Sequence, residues 1–95
     1  MAKYESMYIL KPNMEDEKRT DIINKFSSIV ENNGGKVEKV DEWGLKKLAY
    51  AINYITEGYY VLMDFEAGSD VPAELNRNYK ISDEVLRYIV INKEN

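Results

Sequence analysis

The chain has 95 residues and a formal net charge of −4, from 13 basic and 17 acidic residues. A chain of this length buries roughly 60 to 65% of its unfolded surface on folding, enough for one two-layer core, so we expect a single domain over residues 1–95. It contains no cysteine and no histidine, which excludes a disulfide framework and removes the commonest acid–base group and metal ligand. We therefore expect that the protein is not an enzyme and that it binds no cofactor and no metal ion. Without a signal-peptide pattern or an apolar run of roughly 20 residues, we also expect a soluble cytoplasmic protein.

The first third of the chain predicts a strand and a helix. Lys3 to Leu10 alternates as a half-buried strand does. One predicted face holds Tyr4, Ser6, Tyr8 and Leu10, and the other holds Glu5, Met7 and Ile9. Asn13 is placed to cap a helix, with acidic residues in its first turn and an apolar stripe behind them. That stripe consists of Ile22, Ile23, Phe26, Ile29 and Val30. Asn32-Asn33-Gly34-Gly35 tolerates positive φ and ends the helix.

The middle of the chain predicts two antiparallel strands. Lys36 to Ile52 is a long strand whose alternation is broken between Val37 and Val40, and Gly44 permits a bulge. Lys46, Leu48, Tyr50 and Ile52 share one predicted face, with Lys47, Ala49 and Ala51 on the other. Asn53 to Gly58 is the predicted turn, and Tyr59 to Glu66 the returning strand.

The last third predicts a helix and a final strand. The helix begins near Pro72 and buries Val71, Leu75 and Tyr79. The strand runs from Val85 to Ile91 and leaves a polar tail over residues 92–95.

The element order predicts an α+β fold of the ferredoxin-like βαββαβ type, with a four-stranded antiparallel sheet and two helices on one face. The other face then has no covering element. Tyr60, Leu62 and one alternating set of the last strand place apolar groups there, either Leu86, Tyr88 and Val90 or Ile89 and Ile91. Such a face indicates a partner surface.

A motif in the second strand resembles a known family. Glu42-Trp43-Gly44 is followed by Lys46-Lys47-Leu48-Ala49-Tyr50, as in the family of the sixth small-subunit ribosomal protein of bacteria. Further matching segments are Tyr4-Glu5, Pro12, residues 58–63 and residues 82–87. The chain departs from the family at Ala51, where proline is common, and at Ala2, where a basic residue is usual.

The resemblance implies a structural, non-catalytic constituent of the small (30S) subunit in the cytoplasmic ribosome. Such proteins bind the central domain of small-subunit (16S) ribosomal RNA as a heterodimer with a basic partner, the eighteenth protein of that subunit. A net charge of −4 suits a cationic partner. It does not preclude RNA contact, because at 0.1 M salt the screening length is about 10 Å and a local basic patch can outweigh distant acidic groups.

Four cations and five apolar or aromatic residues are the candidate site residues. For RNA binding they are Lys3, Lys46, Lys47 and Arg87, expected to gather at one rim of the sheet. From the sequence alone, the lysine pair is better explained as keeping a strand soluble and blocking edge pairing; the resemblance reverses this preference and favours RNA contact. For partner binding they are Tyr4, Tyr50, Tyr60, Leu62 and Tyr88, and core packing is the alternative for each tyrosine.

Other functions on this topology have weaker support. Residues 58–65 partly match the third-strand motif of RNA-recognition domains, but Glu57 and Tyr60 depart from it. A small-molecule regulatory domain needs glycine-lined loops, and only Gly34-Gly35 offers one. An acylphosphatase-like enzyme needs an arginine-bearing loop where this chain has residues 11–14. Adjacent Asp41 and Glu42 point to opposite faces and make no catalytic pair.

Overall fold

The computed structural model describes residues 1–94, and the elements within them follow the predicted order. They are β1 (Ala2–Leu10), α1 (Asp16–Asn32), β2 (Lys36–Ile52), β3 (Ile55–Ala67), α2 (Val71–Ile81) and β4 (Val85–Asn92). The strands form one sheet in the order β2-β3-β1-β4, with every neighbouring pair antiparallel. This confirms the ferredoxin-like arrangement, in which a right-handed crossover carries each helix to the same face of the sheet.

The core lies between the sheet and the helices. It contains the predicted stripe of α2 and the face of β1 that holds Tyr4, Tyr8 and Leu10, and it includes a cluster of aromatic rings. The Phe26 ring from α1 lies 5.0 Å from Tyr8 and 4.6 Å from Tyr79 of α2, measured between ring centroids. The Tyr79 hydroxyl is hydrogen bonded to the Ser6 hydroxyl at 2.6 Å, which satisfies two buried polar groups at once.

The start of α1 differs from the prediction. Its N-cap is Glu15, with φ −62° and ψ 146°, and not Asn13; the Glu15 side chain makes no capping hydrogen bond. The chain bends at Pro12 and Asn13 before the helix. Arg19, one turn into the helix, donates through Nη1 to the Met14 carbonyl at 3.1 Å. This bond anchors the segment before the helix, but it accepts nothing from the first helical N–H groups and so is not a cap.

The turn between β2 and β3 is shorter than predicted. It consists of Asn53 and Tyr54, with φ of 50° and 68°, and Ile52 already pairs with Ile55. A two-residue hairpin of the I′ type needs positive φ at both central residues. β3 consequently begins at Ile55, where Tyr59 was expected. The predicted irregularities in β2 are present, with register shifts between Val37 and Lys39 and at Gly44, whose φ is +86°.

The sheet face opposite the helices, called the outer face below, is only partly bare. Ile9 lies on it yet is 7% exposed. It lies against Gly58, and a Cβ at Gly58 would stand 3.4 Å from the Leu48 side chain. The Arg87 guanidinium carbon is 5.7 Å from the Tyr50 ring centroid. The prediction that no part of the chain covers this face is therefore wrong at the hairpin end, because β2 extends past β1 and carries Leu48 and Tyr50 there.

Candidate nucleic-acid and partner interface

Strand register arranges the outer face in rows that run across the sheet. Side chains of paired residues lie side by side on the same face. From the hairpin end, the first row holds Tyr60, Ile9 and Arg87, and the second holds Asp41, Leu62, Met7 and Ile89. The third row holds Lys39, Asp64, Glu5 and Ile91, and the fourth holds Lys36, Glu66 and Lys3. We call the first row with Lys46 and Tyr50 the cationic end, and the third row the acidic row.

The cationic end gathers positive charge without a counter-charge. Lys46 pairs with Gly58, one step beyond Tyr60, and Arg87 pairs with Ile9. Within residues 1–94, no carboxylate oxygen lies within 4.0 Å of the Lys46 or Arg87 side-chain nitrogens. Lys47 sits on the opposite face of β2, paired with Glu57 in register. Both amines of the lysine pair are exposed and accessible to phosphate.

Lys3 is not at this rim. It pairs with Glu66, whereas Lys46 pairs with Gly58. These β3 partners are eight residues apart, so Lys3 and Lys46 are separated by about 27 Å along the strand direction at 3.4 Å per residue. The register places Lys46, Lys47 and Arg87 in the hairpin half of the sheet, with Lys47 on the face opposite to the other two, and it places Lys3 at the far end.

Two of the five expected partner residues do not lie on the outer face. Tyr4 is 6% exposed and stacks on Phe65 with centroids 5.4 Å apart, so it is a core residue. Tyr88 pairs with Tyr8 and its ring lies 5.5 Å from Tyr79. It is therefore on the helix side, because β4 takes its facing from its register with β1.

The other three expected partner residues do lie on the outer face. Tyr60 and Leu62 are half-buried in its first two rows. Tyr50 is 69% exposed. Of the two alternating sets that the sequence left open on β4, the register selects Ile89 and Ile91.

A depression of about 260 Å³ adjoins the cationic end, lined by Met7, Ile9, Arg87, Tyr88 and Ile89. Met7 was not among the expected site residues. The alternation of β1 nevertheless points to it, because Met7 and Ile9 are the apolar members of the second face of that strand. Knowing that they face Ile89 requires the pairing of β1 with β4, two strands far apart in the chain.

The acidic row is partly neutralised. Lys39 lies 3.8 Å from Asp41, and Lys93 lies 3.6 Å from Asp64. Among the ion pairs of residues 1–94, none involves Glu5. Trp43, at the bulge, is 44% exposed and donates from Nε1 to Asp41 at 3.2 Å.

Glu42 belongs to the helix side, as the alternation predicts. The Tyr59 hydroxyl donates to it at 2.7 Å, and this hydrogen bond raises the pKa of Tyr59. The Arg19 guanidinium lies 4.1 Å above the Tyr59 ring. These contacts tie α1 to the hairpin and leave Asp41 and Glu42 on different faces, so they form no carboxylate pair.

In the part of the chain that the structure describes, no group of three or more acidic residues is arranged to hold a metal ion. Over the same residues, neither helix has the length and apolar character needed to cross a membrane.

Comparison with known proteins gives consistent matches over the whole chain. The family model described as Ribosomal protein S6 matches residues 3–92. The small ribosomal subunit protein bS6 of Alkaliphilus oremlandii is 55% identical over 94 residues, covering 99% of each chain. That of Thermoanaerobacter pseudethanolicus is 50% identical over 91 residues, covering 96% of each. The crystal structure of 30S ribosomal protein S6 from Thermotoga maritima superposes with a TM-score of 0.92 at 31% identity, covering 98% of this chain and 88% of that one.

Proposed function

The chain belongs to the ribosomal protein S6 family, and from this premise we propose that it binds the central domain of small-subunit (16S) ribosomal RNA together with a basic protein. That partner is the eighteenth protein of the small subunit, with which the chain forms a heterodimer. As a member of this family it is a structural component of the small subunit in the cytoplasmic ribosome, and it is not an enzyme.

The observation that supports this proposal best is the cationic end of the outer face, where neither Lys46 nor Arg87 has a carboxylate oxygen of residues 1–94 within 4.0 Å. Phosphate groups are attracted to such unpaired cations. In the acidic row, Glu5 lies outside every ion pair of residues 1–94, so it is a carboxylate free to attract a basic partner. In and beside the acidic row, exposed Ile91 and half-buried Leu62 supply apolar contacts of the kind found at the centre of a stable protein interface.

The cationic end and the acidic row also explain how a chain with a net negative charge takes part in RNA binding. A net charge of −4 opposes approach to a polyanion from a distance, while Lys46, Lys47 and Arg87 act only within about 10 Å at 0.1 M salt. A cationic partner on the acidic row reverses the long-range repulsion and adds its own phosphate contacts.

The test is a comparison of RNA affinity for three samples: the chain alone, the basic partner alone and an equimolar mixture. The RNA is a fragment of the small-subunit central domain, at fixed salt. We expect the mixture to bind roughly 5- to 150-fold more tightly than either protein, the range that a coupling of 1–3 kcal/mol produces. Equally tight binding by the chain alone would contradict the pairing.

A second measurement addresses the ribosomal role itself. The chain, tagged and expressed in cells, is expected to sediment with the small subunit at low salt and to be released at high salt. Sedimentation only at the top of the gradient under both conditions would contradict the assignment.

A further inference from the structure

We propose that Tyr50, Arg87 and the adjoining depression form a stacking site for one unpaired RNA base, an inference that rests on the proposed RNA-binding function. At the cationic end, this site recognises a splayed-out base in addition to the phosphate backbone.

Tyr50 and Arg87 are in contact on the outer face. Tyr50 is on β2 and Arg87 on β4, so the contact spans the two intervening strands of the sheet. The guanidinium carbon is 5.7 Å from the ring centroid, within cation–π range. The ring nevertheless stays 69% exposed, so it offers a second aromatic surface to solvent.

A depression on the surface is lined in part by Arg87. The depression of about 260 Å³ has an aliphatic floor of Met7, Ile9 and Ile89 and one cation, Arg87, at its edge. A nucleobase is a flat group with apolar faces and polar edges, and proteins hold unpaired bases on aromatic rings and guanidinium planes. The floor fits the face of a base, and the guanidinium fits its acceptor edge or its phosphate.

The positive charge of the cationic end favours RNA over a basic protein segment. A basic protein segment would meet Arg87 and Lys46 here with no carboxylate of residues 1–94 within 4.0 Å of either, and it would be repelled. An RNA strand is attracted by the same two cations. The charge therefore assigns the cationic end to RNA and leaves the acidic row to the protein partner.

The experiment uses the full chain labelled on methyl and amide groups and titrated with two probes, a short poly(A) oligonucleotide and a matched RNA duplex. We expect the single strand to shift the methyl signals of Met7, Ile9 and Ile89 upfield by ring current, and the duplex to leave them unchanged. The spectrum of each variant without RNA verifies that it is folded.

Three variants separate stacking from charge. Tyr50→Leu removes the ring, and we expect about 5- to 150-fold weaker binding of the single strand, equivalent to 1–3 kcal/mol per stacked base, with an unchanged salt slope. Tyr54→Leu removes a fully exposed ring from the same hairpin, and we expect an affinity within about twofold of wild type. Arg87→Lys keeps the charge but lacks the planar group, and it should weaken single-strand binding more than duplex binding.

Each contrary result has a distinct meaning. If RNA binds but the three methyl groups do not shift, or if Tyr50→Leu behaves as Tyr54→Leu does, the stacking site is wrong while the RNA-binding function stands. If neither RNA changes any signal, the stacking site and direct RNA contact by this chain both fail. If the basic protein partner alone shifts the same methyl groups, the depression is a protein contact and the stacking site is wrong.

Discussion

At the scale of single residues, the lysine pair has two explanations that make different predictions. Lys46 and Lys47 are exposed on opposite faces of β2, where they either contact phosphate or keep an edge strand from pairing. For Lys46→Ala with Lys47→Ala, we expect an unchanged circular dichroism spectrum and a salt slope of RNA binding lower by about 2, one for each amine removed from a phosphate. Lys25→Ala with Lys80→Ala, two exposed lysines on the helices, is the matched control and should leave the slope as it is. Aggregation of the first variant without a change in slope would favour edge protection.

The buried phenols predict a limit on stability at high pH. Burial raises the pKa of both Tyr8 and Tyr79, whereas in the unfolded chain a phenol ionises near pH 10. Above that pH the unfolded state releases protons that the folded state retains, so the contribution of these two phenols to the free energy of unfolding is constant below about pH 10 and falls as the pH rises further. Each phenol contributes about 1.4 kcal/mol per pH unit to that fall.

The check is urea denaturation of the wild type and of Tyr79→Phe between pH 9 and 11. We expect the variant to be less stable at pH 9 by about 1 kcal/mol, because Ser6 loses its 2.6 Å hydrogen-bond partner. Its stability should then fall less steeply, by about 1.4 kcal/mol per pH unit. Parallel pH profiles for the two proteins would mean that Tyr79 ionises while folded.

At the scale of elements, the hairpin contains a local strain that a substitution relieves. Tyr54 has a φ of +68°, a conformation that destabilises a residue with a side chain by about 1–2 kcal/mol. Its ring is 99% exposed, so packing of the ring offsets little of this strain. Tyr54→Gly creates the Asn-Gly pair favoured in type I′ turns. We expect a gain of about 0.5 kcal/mol after the entropic cost of glycine, seen as a higher urea midpoint with the same m-value. Tyr54→Ala, which removes the ring but keeps the positive φ, should show no gain.

Some features of the elements could be predicted from the local sequence, and others could not. Local pattern was sufficient for the order of six elements, the buried stripe of α2 and the bulge at Gly44, because each depends on neighbours in the chain. The turn was predicted at the right place but four residues too long, because a tyrosine with positive φ such as Tyr54 has no local signal. The predicted cap at Asn13 was wrong because the chain bends at Pro12 and Asn13 and the helix begins only at Asp16.

The candidate site was less predictable than the fold because it depends on register. Lys3 was expected beside Lys46, yet the antiparallel pairing of β1 with β3 places it at the other end of the sheet. Tyr4 and Tyr88 were expected at a partner surface, yet pairing with β3 and Tyr8 turns them towards the helices. Composition does not indicate which alternate residue faces which side, since a shift of one residue reverses every side chain.

At the scale of the whole molecule, the question is whether net charge or local charge guides the basic partner. Glu5→Gln and Glu31→Gln each remove one of the 17 acidic residues. Glu5 lies in the acidic row, whereas Glu31 is exposed near the end of α1 on the other side of the sheet. If net charge attracts the partner, both variants associate equally slowly. If the acidic row attracts the partner, only Glu5→Gln associates more slowly, because charges at an interface change the association rate and its salt dependence.

We expect the second result, with association of Glu5→Gln with the basic partner slowed about two- to threefold at low salt and the difference vanishing as salt approaches 1 M, where the screening length is about 3 Å. Stopped-flow fluorescence of Trp43, which is 44% exposed and donates to Asp41 of the second row, follows the binding directly. Equal rates for Glu5→Gln and wild type would place the basic partner elsewhere on the surface. Retained RNA stacking at Tyr50 in the same variant would show that the two ends of the outer face act independently.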